Sequence, residues 1–286
     1  MNLNFWLIQA FNGLSYGALL FLLGSGLSLI FGVMRIVNLA HGSYFLLGGY
    51  VALTVIWTTG SWALSIPIAA LAVAVVGLLM ERLFLRPLGF DPLRQVLLTV
   101  GFAFLFQQAA LDIWTGNNFD INPPDALTKS VVVGGLYLPL YRVFMIAIAV
   151  AIGIVLWLVM EKTRMGAMVR ATVDDSQMAR GVGIDTSRVS MFIFSLGAFL
   201  AALGGVIGGA FLGIYPGLDF EILPLAFAVV IIGGMGSLGG AAIGALLVGL
   251  ADNFGKALFP EISYFTLYAP MALILAVKPT GLFGRE

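Results

Sequence analysis

The sequence predicts an all-α, polytopic transmembrane helical bundle with about eight membrane-embedded segments, some of them broken or half helices. Composition is the first reason. Of the 286 residues, 60% are hydrophobic and only 10% are charged, and the mean hydropathy is +1.05. Soluble domains average roughly 25% charged residues, so this chain lacks the polar surface that water requires. The second reason is that its apolar residues form windows long enough to cross a bilayer.

Seven windows reach the length of a membrane span, which is about 17–25 residues. The first window is longer than the apolar core of a signal peptide and has no basic segment before it, so we expect a retained helix. The seven windows are residues 6–32, 43–59, 62–80, 95–114, 139–160, 189–213 and 262–278.

An eighth apolar stretch, residues 222–254, is divided by glycines. Its first half, residues 222–235, is too short for a comfortable crossing. We expect either two short crossings or two half-helices that enter and leave the membrane on one side. Both arrangements return the chain to the same side, so topology does not choose between them. The dividing glycines are Gly233, Gly234, Gly236, Gly239 and Gly240.

The distribution of basic residues predicts the orientation, because cytoplasmic loops of membrane proteins are enriched in Lys and Arg. Eleven of the 14 basic residues fall on one side of the predicted bundle, and only Lys129, Arg142 and Lys256 fall on the other. The N-terminus is therefore expected outside and the C-terminus in the cytoplasm. The net charge is zero, so no nucleic-acid partner is expected.

One predicted helix carries a stripe of small residues at four-residue spacing. Such a stripe lets a second backbone approach closely and is a packing signal rather than a chemical one. Its members are Gly197, Ala201, Gly205, Gly209 and Gly213.

The glycine-rich break contains Gly234-x-Gly236-x-x-Gly239, the spacing of a dinucleotide-binding loop, with Asp252 near the position of a ribose-binding acid. The residues after Gly240 read as one continuous apolar helix, which leaves no room for the second strand of that motif. We expect these glycines either to pack a helical hairpin or to line the path of a solute, where broken helices are tolerated in membranes.

Other enzyme motifs are also incomplete. Residues 249–256 resemble a phosphate-binding loop, whose two glycines are separated by four residues. Here five residues separate Gly249 from Gly255, and Ala257 stands where the motif needs a hydroxyl. The chain has no cysteine and one histidine, His41, so thiolate zinc sites and clusters of several histidines are impossible. We expect no enzyme activity and no cofactor in this chain.

Residues 34–55 form an apolar region that is interrupted by Asn38, His41 and Ser43. Ser43 is a candidate cap for the helix that follows, and Gly42 permits a close backbone approach. One interpretation is a capped helix start with a hydrogen-bonded histidine. The other is a lining or gating element, because polar groups inside a membrane are costly and often functional.

The inner loop 161–188 is the longest on its side and holds nine of the 28 charged residues. From Gly166 to Arg180 it is expected to form a short amphipathic helix, with Arg170 and Asp174 as an i,i+4 pair. The helix is short, of mixed charge and poor in lysine, which favours docking to a cytosolic partner over binding to lipid.

Three motifs in this order resemble the permease subunit of the branched-chain amino acid ABC importers, of the H-type (LivH-like) rather than its M-type partner. They are "NLAHGSYFLLGGYVA", "RMGAMVRATVDDSQMARGVGIDTSRV" and "VVIIGGMGSLGGAAIGALLVGLAD", and the likeness continues to "KPTGLFG" near the end. The resemblance implies one permease domain over residues 1–286 in a bacterial inner membrane, with a coupling loop at 161–188. It also implies a second homologous permease, two cytosolic ATPases that bind the ATP, and an extracytoplasmic binding protein. Related permeases carry urea, short amides or aromatic acids, so the substrate stays open.

The resemblance places ATPase coupling in the inner loop and the substrate path beside residues 38–42 and 233–240. That loop lacks the Glu-Ala-Ala…Gly pattern of better-known importer permeases. A path for amino acids needs polar groups for the ammonium and the carboxylate, and Asn38, Ser43, Gln107 and Gln108 are the candidates. The predicted coupling residues are Arg164, Gly166, Arg170, Asp174, Asp175 and Gly183, and the predicted path residues are Asn38, His41, Gly42, Ser43, Gln107, Gln108, Gly234, Gly236 and Ser237.

Two other classes of function are weighed against this hypothesis. A secondary transporter would need an ionisable residue in the membrane to couple protons or sodium, and Asp112 and Asp252 are the candidates. An intramembrane enzyme would need a catalytic cluster, for which the sequence offers no paired acids at mid-membrane.

Overall fold

The structure is a computed structural model that describes residues 3–89 and 91–284. Within these residues it contains eleven α-helices and one small β-hairpin, which confirms the predicted helical bundle. The helices are α1 Leu3–Met34, α2 His41–Thr59, α3 Trp62–Met80, α4 Pro92–Trp114, α5 Leu140–Lys162, α6 Arg164–Asp174, α7 Ser176–Gly181, α8 Thr186–Leu212, α9 Leu218–Gly233, α10 Leu238–Leu258 and α11 Ser263–Val277.

Six helices in the described part are long and apolar enough to cross a membrane: α1, α3 with its extension to Leu88, α4, α5, α8 and α10. Two predicted windows fall short of this standard. Helix α2 has 19 residues, a sufficient length, but its polar residues make it less apolar. Helix α11 has only 15 residues, because a short 3₁₀ turn at Pro260–Ile262 precedes it.

Helices α1 and α8 form the centre of the bundle, and both are largely buried. The small-residue stripe of α8 explains their close approach, since a Cβ on Gly197 would lie 3.0 Å from the carbonyl oxygen of Gly26 in α1. On the same stripe, a Cβ on Gly205 would overlap the carbonyl oxygen of Phe45 in α2. The predicted packing role of this stripe is confirmed.

The glycine-rich break is a tight helical hairpin between α9 and α10. Gly234 and Gly236 have φ values of 101° and 81°, a left-handed conformation that favours glycine. Ser237 caps α10 by accepting a hydrogen bond from the Gly240 N–H at 3.0 Å. The C-terminal segment closes this turn, because the Phe283 N–H donates to the Gly233 carbonyl oxygen at 3.0 Å.

The loop before α5 contains a β-hairpin that the sequence did not predict. Strands β1 Ser130–Val133 and β2 Leu136–Pro139 pair antiparallel, with Val132 opposite Tyr137. The turn residues Gly134 and Gly135 both have positive φ, at 58° and 82°. Two-residue hairpin turns with this conformation match the twist of the strands.

Candidate functional site

The link between α1 and α2 returns into the bundle. Helix α1 ends at Met34, and Arg35 reverses the chain with a φ of 54°. The single histidine, His41, is fully buried, and its Nε2 lies 3.0 Å from the carbonyl oxygen of Leu23 in α1. Leu23 precedes the end of α1 by 11 residues, which is about 16 Å along the helix axis. Helix α2 therefore begins near the middle of the bundle rather than at its end.

The predicted cap of α2 by Ser43 is wrong. The helix begins at His41, three residues earlier than a cap at Ser43 requires, and no side chain caps it. Asn38 instead holds the link, since its Oδ1 accepts a hydrogen bond from the Ala40 N–H at 3.1 Å. The Ser43 hydroxyl is thereby left for another partner, and it donates to Oδ2 of Asp219 at 2.8 Å.

Asp219 is a residue that the sequence reasoning missed. It lies in the first turn of α9 and is only 2% exposed. In the sequence it follows the turn residues "YPG" and reads as part of an outer link. The available signal was partial, since its position before an apolar run marks the start of a helix but does not show that the side chain is buried.

Three of the seven buried side-chain polar atoms that lack a hydrogen-bond partner in the described residues lie at the start of α2 or beside it. They are Nδ2 of Asn38, Nδ1 of His41 and Oδ1 of Asp219. Asn38, His41, Ser43 and Asp219 are each at most 2% exposed. We call these four residues the buried polar cluster. Because unsatisfied polar groups are expensive inside a membrane, such a concentration indicates a functional region.

The other predicted path residues lie elsewhere. Gly234, Gly236 and Ser237 form the α9–α10 turn, where Gly236 packs against Gly32 near the end of α1. Ser237 is tied to α1, since the Ser28 hydroxyl donates to its carbonyl oxygen at 3.3 Å.

Within the described residues, the two glutamines on α4 form no hydrogen bond with the buried polar cluster, and Gln108 bonds along its own helix instead. Gln108 is exposed, and its Nε2 donates to Oδ1 of Asp112 on the same helix at 3.0 Å. Gln107 is partly exposed. Helix α4 instead reaches the α1–α2 link through Thr99, whose Oγ1 accepts a hydrogen bond from the Leu39 N–H at 3.2 Å.

The charged loop forms two helices, α6 and α7, rather than the single helix predicted from Gly166 to Arg180. The break falls at Asp175, which has an extended backbone and starts α7 by accepting hydrogen bonds from the Gln177 and Met178 N–H groups at 2.8 and 2.9 Å. These two N–H groups hold the pKa of the Asp175 carboxyl below its usual value, because they stabilise the ionised form. An N-cap cannot also be a helix interior, so the helix divides here.

Helix α6 is fixed to the end of α5. Arg170 donates to the carbonyl oxygen of Met160 and lies 3.5 Å from the Glu161 carboxylate. Gly166 packs against the same Met160 backbone, where a Cβ would overlap it. Helices α5 and α6 are therefore joined by polar and close packing contacts at Met160.

Helix α7 presents an apolar surface outward. The side chains of Met178 and Val182 are 66% and 71% exposed, although both are apolar. Gly183 ends this segment with a φ of 90°. The docking of this loop to a cytosolic partner stays a prediction.

The chain matches the family model described as branched-chain amino acid transport system / permease component over residues 9–275. It belongs to this permease family. The permease is 29% identical to the high-affinity branched-chain amino acid transport system permease protein BraD of Pseudomonas aeruginosa, over 98% of this chain and 96% of that protein. The LivH permease proteins of Salmonella typhimurium and Escherichia coli are 31% and 30% identical, with the same coverage. No solved structure matches the chain. The resemblance found in the sequence is confirmed.

The permease also has a cavity of about 360 Å³, lined by residues of α1, α9, α10 and α11, the end of α8 and the link after it. Four of its polar side chains form two pairs, because Lys256 Nζ lies 2.8 Å from Asp252 Oδ2 and the Tyr215 hydroxyl donates to Glu221 Oε2 at 2.8 Å. Asp252, a candidate for ion coupling, is therefore held in an ion pair. In the part of the permease that the structure describes, no group of three or more His, Cys, Asp or Glu could hold a metal ion.

Proposed function

We propose that this permease is the H-type subunit of an ABC importer that carries branched-chain amino acids across the bacterial inner membrane. The family match over residues 9–275 supports this most strongly. The alignments with the BraD and LivH relatives also cover 96% of the length of each relative. Its partners are a second homologous permease, two cytosolic ATPases and an extracytoplasmic binding protein. The whole chain acts as one permease domain, with its N-terminus outside and its C-terminus in the cytoplasm.

The mechanism is alternating access. Closure of the ATPases moves the loop 161–188, and α6 passes this motion to α5 because Arg170 and Gly166 hold the Met160 backbone. The buried polar cluster and the α9–α10 turn then line the path that opens to alternate sides. Broken helices that meet inside a membrane form the substrate sites of many transporters.

The test is uptake by vesicles that contain the complete transporter. Binding protein is supplied on the outer face of the permease, and ATP is supplied on the side of the ATPases. Leucine, isoleucine, valine, urea and a benzoate-type acid are compared as solutes. ATP-dependent uptake of the three branched-chain amino acids is expected. Uptake of urea or benzoate alone would contradict the proposed substrate, and uptake without ATPase subunits would contradict the importer assignment.

The coupling loop is tested in the same vesicles with the Asp174→Arg, Asp175→Arg double variant. We expect ATP hydrolysis without uptake, or loss of the ATPases, while the permease remains inserted. Normal uptake by this variant would show that the two acids take no part in coupling.

One observation favours a second candidate, an ion-coupled secondary transporter. That class needs an ionisable residue inside the membrane, and the buried Asp219 is such a residue. Uptake that persists without the ATPases and stops when the proton gradient is removed would favour this candidate.

A further inference from the structure

Asp219 is a buried acid without a matching base. Its Oδ2 accepts the hydrogen bond from Ser43, and its Oδ1 has no hydrogen-bond partner among the described residues. The four ion pairs within that part of the chain all involve other acids. The Gly217 and Phe220 N–H groups also interact with the carboxylate. These groups stabilise a negative charge at this position but supply no full positive charge to neutralise it.

The position of Asp219 is deep in the bundle. Its backbone carbonyl lies against Gly42, so closely that a Cβ on Gly42 would overlap it. The neighbouring His41 is bound to Leu23, at about 16 Å from the end of α1 by helix geometry. Since the hydrocarbon core is about 30 Å thick, the carboxylate lies at the depth of the membrane interior.

A buried carboxylate in a membrane is stable when a cation pairs with it. The described side chains supply none, which leaves this position open to a mobile cation. The first turn of α2 adds a complementary feature, because no side chain caps its N–H groups and a helix N-terminus favours a negative charge. A solute with an ammonium group beside a carboxylate fits both features, whereas a solute with only a carboxylate is repelled by Asp219.

We propose that Asp219 and the Ser43 hydroxyl form the binding site for the ammonium group of the transported amino acid inside the membrane. This inference rests on the proposed function and makes it more specific. The site selects amino acids over urea, short amides and aromatic acids, since these lack a cationic group. Gly42 keeps α2 and α9 in contact when the site is empty, and a small separation of the two helices admits the substrate.

The experiment measures leucine uptake by vesicles that contain the complete transporter, at saturating loaded binding protein. The Asp219→Asn variant keeps the shape of the side chain and removes its charge. We expect its maximal uptake rate to fall about 10- to 100-fold, the effect of losing a hydrogen bond to a charged group. The Asp219→Glu variant should retain more activity than Asp219→Asn.

A matched control is Glu81→Gln, which neutralises another acid that is 2% exposed and has one unpartnered oxygen, outside the buried polar cluster. Equal losses in Asp219→Asn and Glu81→Gln would overturn the inference, as would normal leucine uptake by Asp219→Asn. Uptake that depends on the proton gradient in the wild type, and loses that dependence in Asp219→Asn, would show that the bound cation is a proton. If the wild-type transporter imports no amino acid at all, the proposed function itself fails.

Discussion

At the scale of single residues, glycine decides where helices of this permease can touch. Gly205 faces the Phe45 carbonyl of α2 so closely that any side chain would displace that backbone. Gly101, in the middle of α4, has no atom from outside its own helix backbone within 4 Å of the position of a Cβ. Both residues are helical glycines, so a comparison between them separates the effect of packing from the effect of helix propensity.

We expect Gly205→Ala to destabilise the permease by about 1–3 kcal/mol, the usual cost of overpacking a close contact. Gly101→Ala should leave stability unchanged or raise it by up to about 1 kcal/mol, because alanine is the better helix former. Thermal unfolding of the purified permease in detergent measures both changes. A Gly205→Ala variant as stable as the wild type would show that α2 and α8 separate easily.

At the scale of elements, the sequence predicts helices better than their ends and contacts. The apolar windows located α1, α3, α4, α5 and α8 because a membrane span leaves a long, uninterrupted signal. The sequence did not predict that the charged loop divides into two helices at Asp175. An acid inside an amphipathic pattern is equally typical of an exposed helical residue and of an N-cap. Asp219 was missed for a different reason. Its burial depends on the return of the α1–α2 link into the bundle, a tertiary feature that no local pattern records.

The cap at Asp175 gives a prediction for helix α7. Asp175→Ser should preserve the cap and the ratio of uptake to ATP hydrolysis, because serine is also a good N-cap, whereas Asp175→Ala should lower that ratio. The ratio is measured in vesicles that contain the complete transporter. Because the pKa of Asp175 is lowered in the folded state, the ionised cap is fully present above the usual carboxyl range and is lost only as the pH falls through the lowered value. Wild-type coupling should therefore not change around neutral pH through this residue. Equal ratios for the serine and alanine variants would contradict a role for the cap.

At the scale of the whole molecule, the outward faces of the peripheral helices are apolar. Leu97 and Phe104 on α4 are 62% and 58% exposed, and Ile154 and Trp157 on α5 are 54% and 52% exposed. These faces suit contact with lipid or with a second permease. The charged loops lie at the two ends of the bundle. The strong bias of basic residues toward one end predicts that this end faces the cytoplasm.

The absence of cysteine makes this orientation directly testable, since any thiol in the chain is then an introduced one. Asn122 lies in the loop before the β-hairpin and Gln177 lies on α7, and both are exposed. In intact cells, a membrane-impermeant maleimide should label the Asn122→Cys variant and leave the Gln177→Cys variant unlabelled. After the cells are opened, both variants should react, which controls for the accessibility of each thiol. Labelling of Gln177→Cys alone in intact cells would reverse the orientation, and it would place the proposed ATPase-docking loop on the side of the membrane without ATP.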